Sequence, residues 1–258
     1  MDTVSSGVRS SLRRWYSPIV IIALWQAGSM LGLIPARIIA APAAIVVSFW
    51  TLLVSGQLLG NLGVSLGRVA AGVAIGVLIG AGLAVLAGLS RRGEDVVDPP
   101  LQMLRTLPLL GLTPLLILWF GIGELPKILL IVLATTFPVY LTLLGGIRAV
   151  DPKLIEAGRI FGLSRWGIVQ HVIVPGALPS ALVGLRYALG TAWVTLVVGE
   201  QINADKGLGY LIMDARDFLR TDVIVVCLLV YAILGLGTDA LVRAVERRAL
   251  AWRPAVAR

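Results

Sequence analysis

Six apolar runs, each 17 to 25 residues long, divide this chain and fix most of what it can become. They cover residues 18–34, 65–89, 104–122, 128–147, 178–198 and 223–242. A helix needs about 20 apolar residues to cross the hydrocarbon core of a bilayer. Only 14% of the 258 residues are charged, against about 25% in a soluble domain, too few to cover a water-exposed surface. The expected fold is an all-α integral membrane protein of six transmembrane helices.

The runs differ in kind. The first follows Arg9, Arg13 and Arg14 and precedes Ala36, Ala40 and Ala41. A cleaved secretory signal has the same outline, but the later runs favour a retained span. The second carries Gly72, Gly76 and Gly80 on one helix face, where small residues let another helix come close. Packing within the chain is the plain reading of that stripe, and a dimer seam the alternative. The third holds Pro108, Gly111 and Pro114, so it should be kinked or partly unwound. Residues 43–59 are also apolar but interrupted by Ser48, Ser55, Gly56 and Gln57. They read as a short packed or interfacial helix, with a seventh crossing as the rival.

The net charge of +8 could point to nucleic acid, but the basic residues are scattered between apolar runs, so membrane orientation explains them better. With six spans, residues 1–17, 90–98, 148–177 and 243–258 fall on one side and hold 14 Lys and Arg, while the opposite loops hold 5. That bias places both termini and the 148–177 loop in the cytoplasm. A seventh crossing at 43–59 would destroy it. The segments are thus an N-terminal tail (1–17), a first span with an external or interfacial helix (18–64), a five-span core (65–242) containing the loop, and a C-terminal tail (243–258). One cysteine, Cys227, and one histidine, His171, leave neither a disulfide nor a His/Cys metal site to expect. His171 reads as a surface loop residue.

The 148–177 loop carries the most information. Asp151 is suited to cap a helix that has Pro152 at its first position. Leu154, Ala157 and Phe161 share a face. Gly162 can end that helix in a left-handed conformation, Ser164 can cap a second, and Pro175 is expected to end it. Two ordered helices in a short loop fit a docking surface or a capped surface helix equally well.

Glu156-Ala157-Gly158, Gly162, then Val172, Val174 and Pro175 resemble the EAA motif of binding-protein-dependent ABC importer permeases. Gly158 departs from that motif by one small residue for another. Ser90-Arg-Arg, the stretches 115–123, 146–152 and 207–212, and the ending 242–248 are similar to the nitrate, sulfonate, taurine and bicarbonate subfamily, and most of all to aliphatic sulfonate permeases. The resemblance implies a type I ABC importer permease fold in the inner membrane and a second permease copy, giving a homodimer. It also implies two ATPase subunits on the loop and an extracytoplasmic solute-binding protein. Glu156, Ala157, Gly158, Arg159, Gly162, Ser164, Arg165 and Pro175 would form the coupling loop. The implied cargo is an aliphatic sulfonate or taurine-like anion, with nitrate, bicarbonate or another small precursor as alternatives.

No Gly-x-x-x-x-Gly-Lys-Ser/Thr phosphate loop occurs, and Gly121-Ile-Gly123 lacks the third glycine of a nucleotide fingerprint and reads as a turn. The chain is therefore expected to be non-catalytic and to bind no cofactor, ATP and Mg2+ being used by the partner ATPase. Arg68, Arg105 and Arg186 lie inside predicted spans. Buried charge usually faces a cavity or a partner, so these three are the candidates for the translocation pathway, with headgroup contact the bland alternative. Glu200 is expected to pair with a basic residue at the outer gate. Residues 201–222 could dock the binding protein or form a solvated re-entrant segment. A stand-alone secondary transporter should show inverted repeats or intramembrane coupling carboxylates, and neither is evident.

Overall fold

The computed structural model describes residues 3–202 and 204–252, with side chains described from residue 16 onward. Among the described residues every regular element is helical. The order is α1 (Thr3–Met30), α2 (Pro42–Val54), α3 (Gln57–Leu89), α4 (Arg91–Thr106), a 3-10 turn (Leu109–Leu112), α5 (Thr113–Phe120) and α6 (Glu124–Arg148). Then come α7 (Pro152–Ile160), α8 (Arg165–Ile168), a π turn (Val169–Ile173), α9 (Val174–Gln201), α10 (Leu208–Asp217) and α11 (Thr221–Ala249). Hydrocarbon offers the backbone no partner, so a spanning segment must pair its own N–H and C=O groups, which a helix does.

Among the described residues, four helical stretches are long and apolar enough to cross a membrane: α3, α6, α11 and the continuous Arg165–Gln201. A fifth is counted if α4 and Leu109–Phe120, bent by 89°, form one span. The expected first span falls on α1, which begins at Thr3 and stops at Met30 rather than at 34. The second begins at Gln57 instead of Ser65, because Gly56 supplies a left-handed start at φ 74°. Residues 43–59 do form a short apolar helix, α2.

Two expectations need correction. The third run is bent by 89° at a break after Thr106, as its prolines predict, but residues 90–98, read as a loop, open α4, which Ser90 caps by accepting from Gly93 N. Pro175 does not end a helix. It sits in the first turn of α9, where a missing N–H is tolerated. The π turn before it widens the register so that α8 runs on into α9.

The core is built on α3, α6 and α9. Gly72, Gly76 and Gly80 all face α6: an added Cβ would lie 2.5 Å from Ile131 Cγ2, 2.8 Å from the Val132 carbonyl and 2.6 Å from the Thr136 carbonyl, respectively. The stripe is thus a seam within the chain, as its plain reading held. Pro138 cannot donate to the Ala134 carbonyl one turn back in α6, and that oxygen instead accepts from Thr191 Oγ1 of α9 at 3.2 Å. A proline that weakens one helix thereby ties two together.

Side-chain contacts sort the chain into two ends. At one, Arg148 pairs with Glu94 at 2.6 Å and Arg186 with Glu246 at 2.5 Å, and Gly88 and Leu89 at the end of α3 line a cavity together with residues of α7 and α8. At the other, Ser48 bonds Asp222, Thr221 donates to the Ala36 carbonyl, and Arg68 meets Glu124. The basic-rich segments 90–98 and 148–177 share the first end.

Candidate functional site

The loop at the first end is preorganised by local chemistry. Asp151 caps α7 by accepting from Lys153 N at 2.9 Å. Gly162 adopts φ 79°, a left-handed turn that favours glycine. Its N–H donates to the Arg159 carbonyl, and Leu163 N donates to the Gly158 carbonyl, which closes the end of α7. Ser164 caps α8 through Gly167 N at 3.1 Å. Gly158 is buried against Leu163 and Ile168, so the small residue at the third motif position packs the two helices together.

What the loop displays is apolar and cationic. Ile160 and Phe161 are 84% and 85% exposed at the tip, and Trp166 is 64% exposed. Glu156, Arg159, Gly162, Ser164 and Arg165 are all exposed, Ala157 is half-buried, and Pro175 is half-buried further along. Arg159, Arg165 and Trp166 line a cavity of about 910 Å³ that reaches Gly88 and Leu89 of α3. Exposed aromatic and aliphatic groups beside two arginines have the composition of an interaction surface. His171 is exposed, with its Nδ1 2.9 Å from the Gly167 carbonyl one turn back.

The second end holds a buried ion-pair network. Arg68 donates from Nε and Nη2 to both Glu124 oxygens, at 2.5 and 2.6 Å. Its Nη1 donates to Glu200 Oε1 and to the Lys206 carbonyl, each at 2.7 Å. Glu200 also accepts from Ser65 Oγ at 2.8 Å, from Gly209 N at 2.8 Å and from Tyr231 at 3.3 Å. Ser65 in turn accepts from Leu208 N, and Asn61 accepts from Gly207 N. These bonds seat the start of α10 against α3, and Leu208, Leu211 and Ile212 complete the seat in an apolar cluster with Val226 and Cys227. Part of the 201–222 segment is therefore packed structure rather than a solvated loop.

The three pathway arginines are dispersed. Arg68 spends four of its five N–H donors on two carboxylates and a carbonyl and is buried at 4% exposure, so in this conformation it is engaged within the chain rather than with a solute. Arg186, on α9, pairs with Asp239 at 3.4 Å and Glu246 at 2.5 Å. Arg105, in the last turn of α4, is exposed. Glu200 does pair with a basic residue, Arg68. Sequence reasoning missed Glu124, Ser65 and Asn61 as members of the network. The available signal was spacing: Arg68 stands four residues before Gly72, on the stripe that faces α6.

A helical membrane core with an exposed two-helix loop between α6 and α9 defines an all-helical membrane protein that carries an extramembrane platform. The chain belongs to the family described as binding-protein-dependent transport system inner membrane component, which matches residues 72–250. It is 48% identical over 241 residues to the putative aliphatic sulfonates transport permease protein SsuC of Escherichia coli K12, covering 93% of this chain and 92% of that one. It is 36% identical over 238 residues to the taurine transport system permease protein TauC of the same organism, covering 90% and 86%. Among solved structures, an amino acid ABC transporter with histidines superposes at a TM-score of 0.60 and 22% identity, covering 79% of this chain and 96% of that one. This likeness confirms the type I permease fold. The chain is thus a multi-pass membrane protein and a transport permease.

Proposed function

We propose that this chain is the permease subunit of an ATP-driven importer for small organosulfonates, aliphatic sulfonates or taurine. Two copies form the pathway, two ATPase subunits bind the 148–177 loops on the cytoplasmic side, and a solute-binding protein delivers cargo to the opposite end. ATP and Mg2+ act on the ATPase, and both termini of this chain are cytoplasmic.

The observation that carries the reading is the loop. Its two capped helices meet at Gly162 and present Phe161 and Trp166 outward, and α8 continues without a break into the span containing α9. A push on α7 and α8 is therefore delivered to a membrane helix by a rigid connection. Closure of an ATPase dimer on ATP would tilt that helix and open the path to the other side, a conformational two-state mechanism. The 14-to-5 basic bias supports a cytoplasmic loop, and the sulfonate and taurine relatives support the cargo class.

The test is uptake of labelled ethanesulfonate and taurine into vesicles that hold this permease, its ATPase and its binding protein. ATP-dependent accumulation of either solute is the expected result. Accumulation of neither, in vesicles whose ATPase responds to the binding protein, would remove the cargo assignment.

A further inference from the structure

The break between α4 and α5 can be placed by its neighbours. Below it, Leu101 packs with Ala84 and Tyr140, and Tyr140 donates to Asp98 at 2.8 Å. At 1.5 Å per residue, Tyr140 lies about 12 Å from the Arg148 end of α6. Above the break, Thr113 and Ile117 line a small cavity with Leu130, about 9 Å from the Glu124 end of α6. Arg105, Thr106, Leu107 and Pro108 therefore lie near the middle of a helix about 37 Å long. All four are exposed.

Nothing at that depth is suited to lipid. Among the described residues, the carbonyls of Arg105, Thr106 and Leu107 accept no hydrogen bond, because Pro108 has no N–H and the 3-10 turn that follows begins its own bonding. The Arg105 guanidinium likewise has no carboxylate or carbonyl partner among the described residues. Non-helical backbone at membrane depth persists only where protein buries it or where it lines a water-filled cavity. An ionised side chain there faces the same alternatives. Arg68 and Arg186 meet this condition by pairing within the chain, and Arg105 does not. It is also the only charged residue between Asp98 and Glu124.

We infer that this break lines the solute path and that Arg105 binds the anionic group of the cargo there. Its planar fork can donate two parallel N–H bonds to two oxygens of a sulfonate. The identity of the anion rests on the importer reading above, whereas the anion-attracting path rests on the break alone.

The test uses the assembled transporter in membrane vesicles. Thr106→Cys supplies a thiol at the break, and the native Cys227, wholly buried, stays silent. Two water-soluble reagents are compared, 2-sulfonatoethyl methanethiosulfonate and its trimethylammonioethyl analogue. With each rate divided by that reagent's rate with a free thiol in solution, the anionic reagent should be favoured by about tenfold, as expected for one nearby cation in a partly desolvated channel. Adding Arg105→Gln should abolish the preference, Arg105→Lys should retain it, and ethanesulfonate should slow the reaction. A thiol that reacts only with a membrane-permeant maleimide, or equally with both charged reagents, overturns the inference. In uptake, Arg105→Gln should cut ethanesulfonate transport at least about tenfold while the loaded binding protein still stimulates the ATPase. Wild-type uptake by that variant would also overturn it. A wild-type transporter that imports no sulfonate overturns the sulfonate assignment alone, and the labelling ratio still decides the anion path.

Discussion

Arg68 and Glu200, on α3 and α9, form an ion pair at 2.7 Å in which both side chains are buried, at 4% and 0% exposure. Arg68 Nε and Nη2 reach across to Glu124, at the start of α6, and Nη1 also bonds the Lys206 carbonyl ahead of α10. One guanidinium thus ties four segments at the end opposite the 148–177 loop. Lysine, with a single ammonium, cannot span those acceptors.

Removing one member of that pair should be costly. Arg68→Met leaves Glu200 buried without its cation, which is expected to destabilise the protein by about 3–5 kcal/mol. Arg68→Lys should recover only part of the loss. The double variant Arg68→Met, Glu200→Met should be less damaged than Arg68→Met alone. Thermal unfolding of detergent-purified protein checks this, and a Tm for Arg68→Met equal to wild type would show the network to be incidental.

The glycine stripe makes a second prediction. Gly76→Val places a side chain against Thr135 and the Val132 carbonyl, an overpacking cost of at least about 1–3 kcal/mol. Gly82, with nothing within 4 Å of a new Cβ, serves as the control on the same helix. Gly82→Ala should be neutral or stabilising by about 0.5–1 kcal/mol, through reduced backbone freedom. Membrane abundance and melting temperature should separate the two variants.

Sidedness can be tested by cysteine labelling in a Cys227→Ala background. A thiol at Arg165 should react only from the cytoplasm, and one at Arg216 only from outside. External labelling at Arg165 would invert the arrangement and place the loop out of reach of any ATPase.

The apolar runs made four of the crossings legible, because length and hydropathy suffice for straight helices such as α6 and α11. The caps Asp151 and Ser164 and the turn at Gly162 were legible for a different reason: each depends on chemistry within three or four residues. What the sequence hid depends on partners far along the chain. Glu124 and Ser65 join the Arg68 network only because α3, α6 and α9 pack together. Pro175 looks like a terminator until the preceding π turn is seen. The break after Thr106 was foreshadowed by Pro108, Gly111 and Pro114. That α4 begins at Arg91, however, was obscured by its charged first turns and by Pro99 and Pro100, which lie within the helix.

Import as proposed depends most on mechanical contact through the 148–177 loop. Gly162→Val puts a β-branched residue at φ 79°, a conformation it resists, at a site where no packing is lost because nothing lies within 4 Å. Glu156→Lys reverses an exposed charge that, under the importer proposal, would accept hydrogen bonds from the ATPase. Neither change touches a membrane-spanning helix, so membrane abundance should stay near normal. The decisive measurement is ATP-dependent sulfonate uptake together with co-purification of the ATPase for both variants. The account predicts weakened ATPase association and loss of uptake. Both variants binding the ATPase and importing at the wild-type rate would contradict it.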